Sequence, residues 1–291
     1  MNQSAGASNV ALLERPLATA PAPNWEPQAQ TLDTPVAAFF DLDNTIIRGA
    51  SVFHLAIGLY RRKMLSLRDI GRLVGINLRY LMFGESAAGV EATRTKSLDA
   101  IKGRPAAQMA AVAEQVWDEV LAQRVYPGTQ ALLDQHLAWG HQVWLVSASP
   151  TEVLDLIADR VGATGALGTK AERRHGVYTG RLEGGLLHGP QKADAIHQLA
   201  LQRGLELSQC YAYGDSGNDI PMLLLVGHPC AINPDKRLRR YCNTNEWPIR
   251  EFRAKRRAVK RSLRTASRVG GLWATWVVLQ RMLGALRHRR G

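Results

Sequence analysis

The stretch Val36-Ala37-Ala38-Phe39-Phe40-Asp41-Leu42-Asp43-Asn44-Thr45 decides the fold, because an apolar, strand-forming run leads directly into two acidic residues. The arrangement recurs far along the chain, where Cys210-Tyr211-Ala212-Tyr213 precedes Gly214-Asp215-Ser216-Gly217-Asn218-Asp219. Each apolar run predicts a buried strand, and open parallel sheets place their active sites beyond the carboxyl ends of strands. The sequence therefore predicts that four carboxylates converge on one site: Asp41, Asp43, Asp215 and Asp219.

Carboxylates at such short range repel one another unless a cation neutralises them. An all-oxygen ligand set suits a hard divalent ion, so we expect Mg²⁺ rather than zinc. With one oxygen on the cation and the other directed at phosphorus, Asp41 can act as a nucleophile and form an aspartyl-phosphate. Asp43 can then serve as general acid and base. The predicted chemistry is phosphoryl transfer.

The chain between and after these stretches predicts an α/β fold. Residues 50–124 show helix-period apolar patterns and hardly any strand pattern, which indicates an all-helical cap inserted after the first strand. From residue 127 onward helices and strands alternate, which predicts a Rossmann-like parallel sheet with helices on both faces.

The expected elements follow from capping residues and apolar period. In the cap, Ser51 is expected to cap a helix over 52–62, Ser66 one towards Leu81, and Pro105 to begin one ending near 123. Beyond it we expect helices at 130–139, 151–161, 191–202 and 219–226, strands at 142–146, near 167 and at 229–232, and a hairpin at 177–182.

Two further residues complete a set of four motifs. Ser147 closes the strand Val143-Trp144-Leu145-Val146, and Lys192 lies in Gly189-Pro190-Gln191-Lys192-Ala193. With the two acidic stretches, these residues resemble the four motifs of the haloacid dehalogenase superfamily of phosphatases, in the same order. The resemblance implies phosphate monoester hydrolysis of a small phosphorylated substrate.

The resemblance also implies residue roles. It makes Asp41 the nucleophile, Asp43 the acid and base, and Lys192 the cation that balances the nucleophile and the phosphoryl oxygens. It implies that the substrate phosphate is held by Ser147, Ala148 and Asn218, and that the Mg²⁺ ligands come from Asp41, Asp43, Asp215 and Asp219.

The helical cap and Gly214-Asp215-Ser216-Gly217-Asn218-Asp219 are similar to the branch that includes phosphoserine phosphatase, and Asn233-Pro234-Asp235 resembles its subfamily IB hydrolases. One position departs from that branch. Phosphoserine phosphatases typically place a glutamate nine residues after the nucleophile to bind the amine of the substrate, and this chain has Ala50 there. The substrate therefore stays open between amino-acid, sugar and lipid phosphates, and transfer to an acceptor other than water is the alternative reaction.

The basic character of the chain belongs to its end. The net charge is +12, and residues 235–291 hold 17 of the 37 Lys and Arg but only three acids. We expect an N-terminal disordered segment (1–34), a core domain (35–49 and 125–248), the cap (50–124) and a basic amphipathic tail (249–291). The apolar stretch of the tail is short for a membrane span, so we expect an interfacial helix.

An anionic membrane surface is the preferred partner of the tail, ahead of packing on the core and of nucleic acid. Three cysteines without a disulfide or metal-ligand spacing fit a reducing compartment. The expected location is the cytoplasm, with peripheral attachment to the inner face of the membrane.

Overall fold

The computed structural model describes residues 34–64 and 101–253. The chain divides into two units, residues 1–252 and 253–291, and the described residues other than Arg253 belong to the first. The segment 1–33, the helix expected from Ser66 and the tail beyond Arg253 lie outside the described residues. Within the described ranges, we find no helix with the length and apolar character needed to cross a membrane.

A six-stranded, fully parallel sheet forms the centre of the described fold, in the order β3-β2-β1-β6-β7-β8. A separate antiparallel hairpin pairs β4 with β5. The strands are β1 (Ala37–Asp41), β2 (Gln142–Pro150), β3 (Gly165–Thr169), β4 (Ala171–Arg174), β5 (Val177–Leu182), β6 (Tyr211–Gly214), β7 (His228–Ile232) and β8 (Ile249–Arg250).

Helices occupy the connections between strands. They are α1 (Ser51–Arg61), α2 (Ala106–Val116), α3 (Pro127–Ala138), α4 (Thr151–Val161), α5 (Pro190–Arg203), α6 (Ile220–Leu223) and α7 (Lys236–Thr244). After α2 the chain continues through a π-helical turn, Trp117–Leu121, and a 3₁₀ turn, Ala122–Arg124. Pro105 is the N-cap of α2, so the predicted start of that helix is confirmed.

Both faces of the sheet are buried, as a parallel sheet requires. Alternate residues of β1 point to opposite sides. Ala38 and Phe40 belong to a cluster that includes the apolar sides of α1, α2 and α4, whereas Ala37 and Phe39 pack with residues of α5 and α6. The predicted α/β class with helices on both faces is therefore confirmed.

Some element predictions need correction. The hairpin comprises β4 and β5 and turns at His175–Gly176, so residues 177–182 form only its second strand. The helix expected at 219–226 is shortened at both ends to α6, because a 3₁₀ turn occupies Gly217–Asp219 and the chain leaves the helix after Leu223 to begin β7 at His228. The sheet also extends to Arg250, two residues beyond the predicted end of the core at 248, because β8 pairs with β7.

Candidate active site

The strand register brings the two acidic stretches together. Asp41 at the end of β1 pairs with Val146 of β2, so Ser147 follows one residue beyond. On the other side Phe40 pairs with Tyr213 of β6, which places Asp215 just past the end of the neighbouring strand. All three polar residues thus lie at the carboxyl edge of the sheet, at adjacent strands.

Lys192 links two acidic residues at this edge of the sheet. Its Nζ donates to Oδ1 of Asp41 at 2.6 Å and to Oδ1 of Asp219 at 2.7 Å. Lys192 lies in the first turn of α5, and its side chain is 5% exposed. The ammonium therefore bridges two carboxylates that are 178 positions apart in the sequence.

A tight turn after β6 holds Asp219 in place. Oδ2 of Asp219 accepts hydrogen bonds from the backbone N–H groups of Asp215 and Ser216 and from the Ser216 hydroxyl, each at 3.1 Å. Gly214 makes room for this arrangement, because a Cβ there would lie 2.6 Å from the Asp219 Cβ. The conformation of this loop accounts for the glycine before Asp215.

Burial dominates the electrostatics of the cluster. It raises the pKa of Asp41 to about 7; Lys192 opposes this shift, and the carboxylates of Asp219 and Asp43 add to it. Burial alone would lower the pKa of Lys192, but the Asp219 and Asp41 carboxylates outweigh it and raise that pKa above its usual range. Lys192 therefore stays charged at neutral pH.

Three of the predicted metal-binding residues meet. Asp41, Asp215 and Asp219 each offer a carboxylate oxygen, and these atoms lie within 4.8 Å of one another. The donor set is all oxygen, and one buried lysine leaves negative charge for a divalent cation to neutralise. The residues present therefore fit Mg²⁺.

Convergence of all four carboxylates on one ion stays a prediction for the Asp43 side chain, which does not belong to the group of three but contributes to the raised pKa of Asp41. Oδ1 of Asp43 accepts a hydrogen bond from the Ser51 N–H at 2.8 Å, at the start of α1. Burial raises the pKa of Asp43, partly offset by the hydrogen bonds from Ser51. The Asp43 carboxylate is therefore not included among the proposed Mg²⁺ ligands.

Ser51 has a role other than the predicted one. It is the first residue of α1, with Ala50 as N-cap, and no side-chain capping hydrogen bond forms. Its hydroxyl lies 3.0 Å from the Ser149 hydroxyl instead. The prediction of Ser51 as a helix cap is therefore wrong, because a buried polar partner outside the helix takes its hydroxyl.

The predicted phosphate-binding residues lie around the cluster. Ser147 is 3% exposed, and its hydroxyl donates to Ser149 at 3.3 Å while accepting from the Ser149 N–H at 3.2 Å. Ala148 is half-buried between these serines in β2. Asn218 is half-buried in the 3₁₀ turn between Asp215 and Asp219.

The loop after β7 forms hydrogen bonds with the two loops that carry the acidic residues, a role that the sequence analysis did not assign. Asn233 donates its side-chain amide to the Asn44 carbonyl at 3.1 Å, next to Asp43. Asp235 donates its backbone N–H to the Asp215 carbonyl at 2.7 Å and accepts from the Gly217 N–H at 3.1 Å. The Asn233-Pro234-Asp235 run is recognisable in the sequence, but its contacts with the site depend on the tertiary fold.

The fold and the site place the chain in a class of parallel α/β proteins with a lysine-bridged acidic cluster at the carboxyl edge of the sheet. Comparisons with known proteins agree with this class. Residues 38–224 match the family of haloacid dehalogenase-like hydrolases. A relative from Mycobacterium tuberculosis (strain ATCC 25618 / H37Rv), named phosphoserine phosphatase SerB1, is 44% identical over 240 residues, which are 82% of this chain and 78% of that protein.

Solved structures share the fold. The crystal structure of a protein with unknown function from Bordetella pertussis Tohama I has a TM-score of 0.68 at 28% identity, covering 75% of this chain and 99% of that one. A phosphoserine phosphatase structure has a TM-score of 0.55 at 19% identity, covering 75% and 93%. The chain belongs to the haloacid dehalogenase-like hydrolases. Within that family it is an enzyme of the phosphatase kind.

Proposed function

We propose that the chain is a Mg²⁺-dependent phosphate monoester hydrolase that works through an aspartyl-phosphate on Asp41. The observation that carries the proposal is the bridge from Lys192 to Asp41 and Asp219, with Asp215 in the same cluster. Lys192 holds one oxygen of Asp41, which orients the carboxylate and leaves its other oxygen for attack. A fixed cation beside the nucleophile also stabilises negative charge that develops on the phosphoryl group.

The proposed reaction has two displacements at phosphorus. An oxygen of Asp41 attacks phosphorus, the ester P–O bond breaks, and Asp43 gives its proton to the leaving oxygen. A water molecule then attacks the same phosphorus, Asp43 takes a proton from it, and the bond to Asp41 breaks to release phosphate. Burial raises the pKa of Asp43, which makes the protonated carboxyl more accessible than in a solvated aspartate and suits a proton donor.

Magnesium would be held by Asp41 and Asp215, with Asp219 as the third carboxylate of the cluster. When bound, it supplies charge neutralisation for the phosphoryl oxygens and for the nucleophile. Both oxygens of Asp219 already accept hydrogen bonds, so we assign Asp219 mainly to holding Lys192 and the loop of Asp215. Ser147, Ala148 and Asn218 are proposed to bind the phosphate.

For the substrate we propose a small phosphorylated metabolite of the phosphoserine kind. The name of the 44% identical relative supports it. One observation weighs against phosphoserine itself: Ala50, which is exposed at the N-cap of α1, supplies no carboxylate to bind a substrate amine. A panel of phosphoserine, sugar phosphates and phosphatidate in micelles, assayed with Mg²⁺, ranks the amino-acid, sugar and lipid alternatives. Added alcohols in the same assay detect transfer to an acceptor other than water.

The test of the reaction uses para-nitrophenyl phosphate. We expect Asp41→Asn to lower kcat at least about a thousandfold because the amide cannot act as the nucleophile. Chelation of divalent ions should stop the wild type, and added Mg²⁺ should restore it. Asp134→Asn, which changes an exposed aspartate on α3, is the matched control and should keep wild-type activity. Wild-type turnover by Asp41→Asn would refute the proposal.

A further inference from the structure

Ser51 and Ser149 are two buried serines that the proposed mechanism does not use. Ser51 is 0% exposed and Ser149 is 1% exposed, so each hydroxyl needs a partner inside the protein. Their Oγ atoms lie 3.0 Å apart although 98 positions separate them in the chain. Because Ser51 begins α1 and Ser149 lies near the end of β2, this hydrogen bond joins the inserted helical segment to the sheet.

Four groups form one hydrogen-bonded chain through this contact. The Ser147 hydroxyl donates to the Ser149 hydroxyl at 3.3 Å, and the Ser149 and Ser51 hydroxyls are hydrogen-bonded to each other. At the far end the Ser51 N–H donates to Oδ1 of Asp43 at 2.8 Å. These contacts therefore connect Ser147, the proposed phosphate-binding residue, with Asp43, the proposed acid and base.

The arrangement survives when Ser147 turns its proton towards a phosphate. The backbone N–H of Ser149 donates to the Ser147 Oγ at 3.2 Å and continues to hold that oxygen. Ser149 can still donate to the Ser51 hydroxyl, and the Ser51 N–H still donates to Asp43. Only the proton of Ser147 changes its acceptor, and no proton enters or leaves the chain of hydrogen bonds.

We propose that Ser51 and Ser149 are positioning residues that fix the Asp43 carboxylate relative to the Ser147 hydroxyl while α1 is docked on the sheet. The inference rests on the proposed function, which assigns roles to Asp43 and Ser147. Ser51 and Ser149 act through these neighbours and not on the substrate directly. Their loss therefore misplaces the reacting groups, which lowers kcat more than it raises KM.

A double-mutant cycle tests the shared hydrogen bond. On para-nitrophenyl phosphate with Mg²⁺, Ser51→Ala and Ser149→Ala should each lower kcat about tenfold and change KM by less than about threefold. The double variant should lose no more than either single one, because both remove the same contact. Ser208→Ala, whose hydroxyl bonds Glu206 at an exposed site, is the control. Additive losses, or kcat within about twofold of wild type in both single variants, overturn the inference.

Ser51→Pro tests the amide. Proline is tolerated at the first helical residue, and Ala50 has a ψ of 117°, which suits the residue before a proline. The substitution removes the N–H that Asp43 accepts from and also the hydroxyl that contacts Ser149. We therefore expect a larger loss of kcat than in Ser51→Ala, whereas an equal or smaller loss means that the amide does not position Asp43.

Hydrogen exchange separates this inference from the proposed function. Wild-type protein that fails to turn over any ester refutes the proposed function, but amide exchange still reports the contact. We expect Ser149→Ala to speed exchange in the first turn of α1, and Ser208→Ala to leave it unchanged. Exchange in α1 that is identical in Ser149→Ala and the wild type overturns the link between insertion and sheet.

Discussion

Asp41 and Asp43 show how two residues of one type acquire different environments within three positions. Asp41 accepts a hydrogen bond from Lys192, whereas Asp43 accepts one from the amide of Ser51. The chain turns sharply between them and α1, with Asn44 at a φ of 60°. Asn tolerates this left-handed conformation better than most residues, so the turn suits its sequence.

The separate position of Asp43 leads to a prediction about leaving groups. A general acid matters most when the leaving oxygen is a poor leaving group. We therefore expect Asp43→Asn to lower kcat/KM for an alkyl phosphate at least about a hundredfold, and for para-nitrophenyl phosphate much less. Steady-state assays with both esters measure the ratio. Equal losses for the two esters would show that Asp43 does not deliver a proton to the leaving group.

The sequence predicted most residues of the site, because strand ends and acidic spacing are local patterns. Asp41, Lys192, Asp215 and Asp219 meet as the motif order implied. The sequence could not reveal that the Asp43 carboxylate accepts a hydrogen bond from the Ser51 N–H, because this contact depends on the tertiary position of α1.

At the scale of elements, α7 and the loop before it brace the turn that carries Asp215. Asp235 is the N-cap of α7, where its Oδ1 accepts from the Leu238 N–H at 2.7 Å. Its Oδ2 accepts from Gly217 in the active-site turn. One side chain thus stabilises both a helix start and the loop of the acidic cluster.

Removing this cap should destabilise the protein measurably. We expect Asp235→Ala to lower the free energy of unfolding by about 1 to 2 kcal/mol, the usual cost of losing a helix cap. Urea denaturation followed by circular dichroism measures the change. Asp134→Ala, at an exposed site on α3, is the control and should stay within about 0.5 kcal/mol of the wild type. Equal stability of Asp235→Ala and the control would contradict the bracing role.

A second cluster lies among α3 and the early residues of the central strands. Nδ1 of the fully buried His136 lies 2.9 Å from Nδ1 of His141, and its Nε2 lies 2.8 Å from the Tyr213 hydroxyl. His228 and Tyr211 stack against each other beside them. Burial lowers the pKa of His136 to about 3, and the neighbouring His141 and His228 add to this shift.

This cluster predicts a loss of stability in mild acid. The unfolded chain takes up a proton at His136 below a pH of about 6.5, whereas the folded protein does so only near pH 3. Stability is therefore fully present above the unfolded pKa and falls with pH, by about 2 kcal/mol between pH 7 and pH 5. Urea titrations at both pH values measure it for the wild type and for His136→Gln. The variant should show a smaller pH dependence, and an equal one would contradict the assignment.

The regular elements were predictable because their patterns are local, and the differences come from tertiary contacts. Helix α4 has the predicted bounds, and α5 differs by one residue at each end. The short strand β8 was not expected, because Ile249–Arg250 gains strand character only by pairing with β7. The helix expected at 219–226 was too long at both ends, because Asp219 belongs to a 3₁₀ turn and the chain leaves the helix after Leu223 towards β7.

For the whole molecule, the division of charge remains the strongest sequence feature outside the site. Residues 235–291 carry most of the excess Lys and Arg, and the rest of the chain is close to neutral. Attraction to an anionic membrane surface stays a prediction of the sequence. Because β8 ends at Arg250, truncation after Arg253 is the cut that spares the sheet.

We expect the full chain to sediment with vesicles that contain anionic lipid and the truncated chain to remain in the supernatant. Each Lys or Arg near such a surface contributes about 1 kcal/mol, an attraction that salt weakens. Hydrolysis of para-nitrophenyl phosphate should be the same in both proteins, which serves as the control for folding. Equal sedimentation of the two proteins would contradict membrane binding through the tail.

Phosphorylation of Asp41 itself is the step on which the proposed mechanism depends most. The most direct measurement mixes the enzyme with Mg²⁺ and a phosphate ester, quenches the reaction in acid within the first turnovers, and locates the added phosphoryl group by peptide mass spectrometry. We expect one phosphoryl group on the peptide that contains Asp41, which hydroxylamine removes and which Asp41→Asn does not form. A phosphoryl group on another residue, or turnover with no phosphorylated enzyme in the wild type under conditions that trap acyl phosphates, would contradict the proposed mechanism.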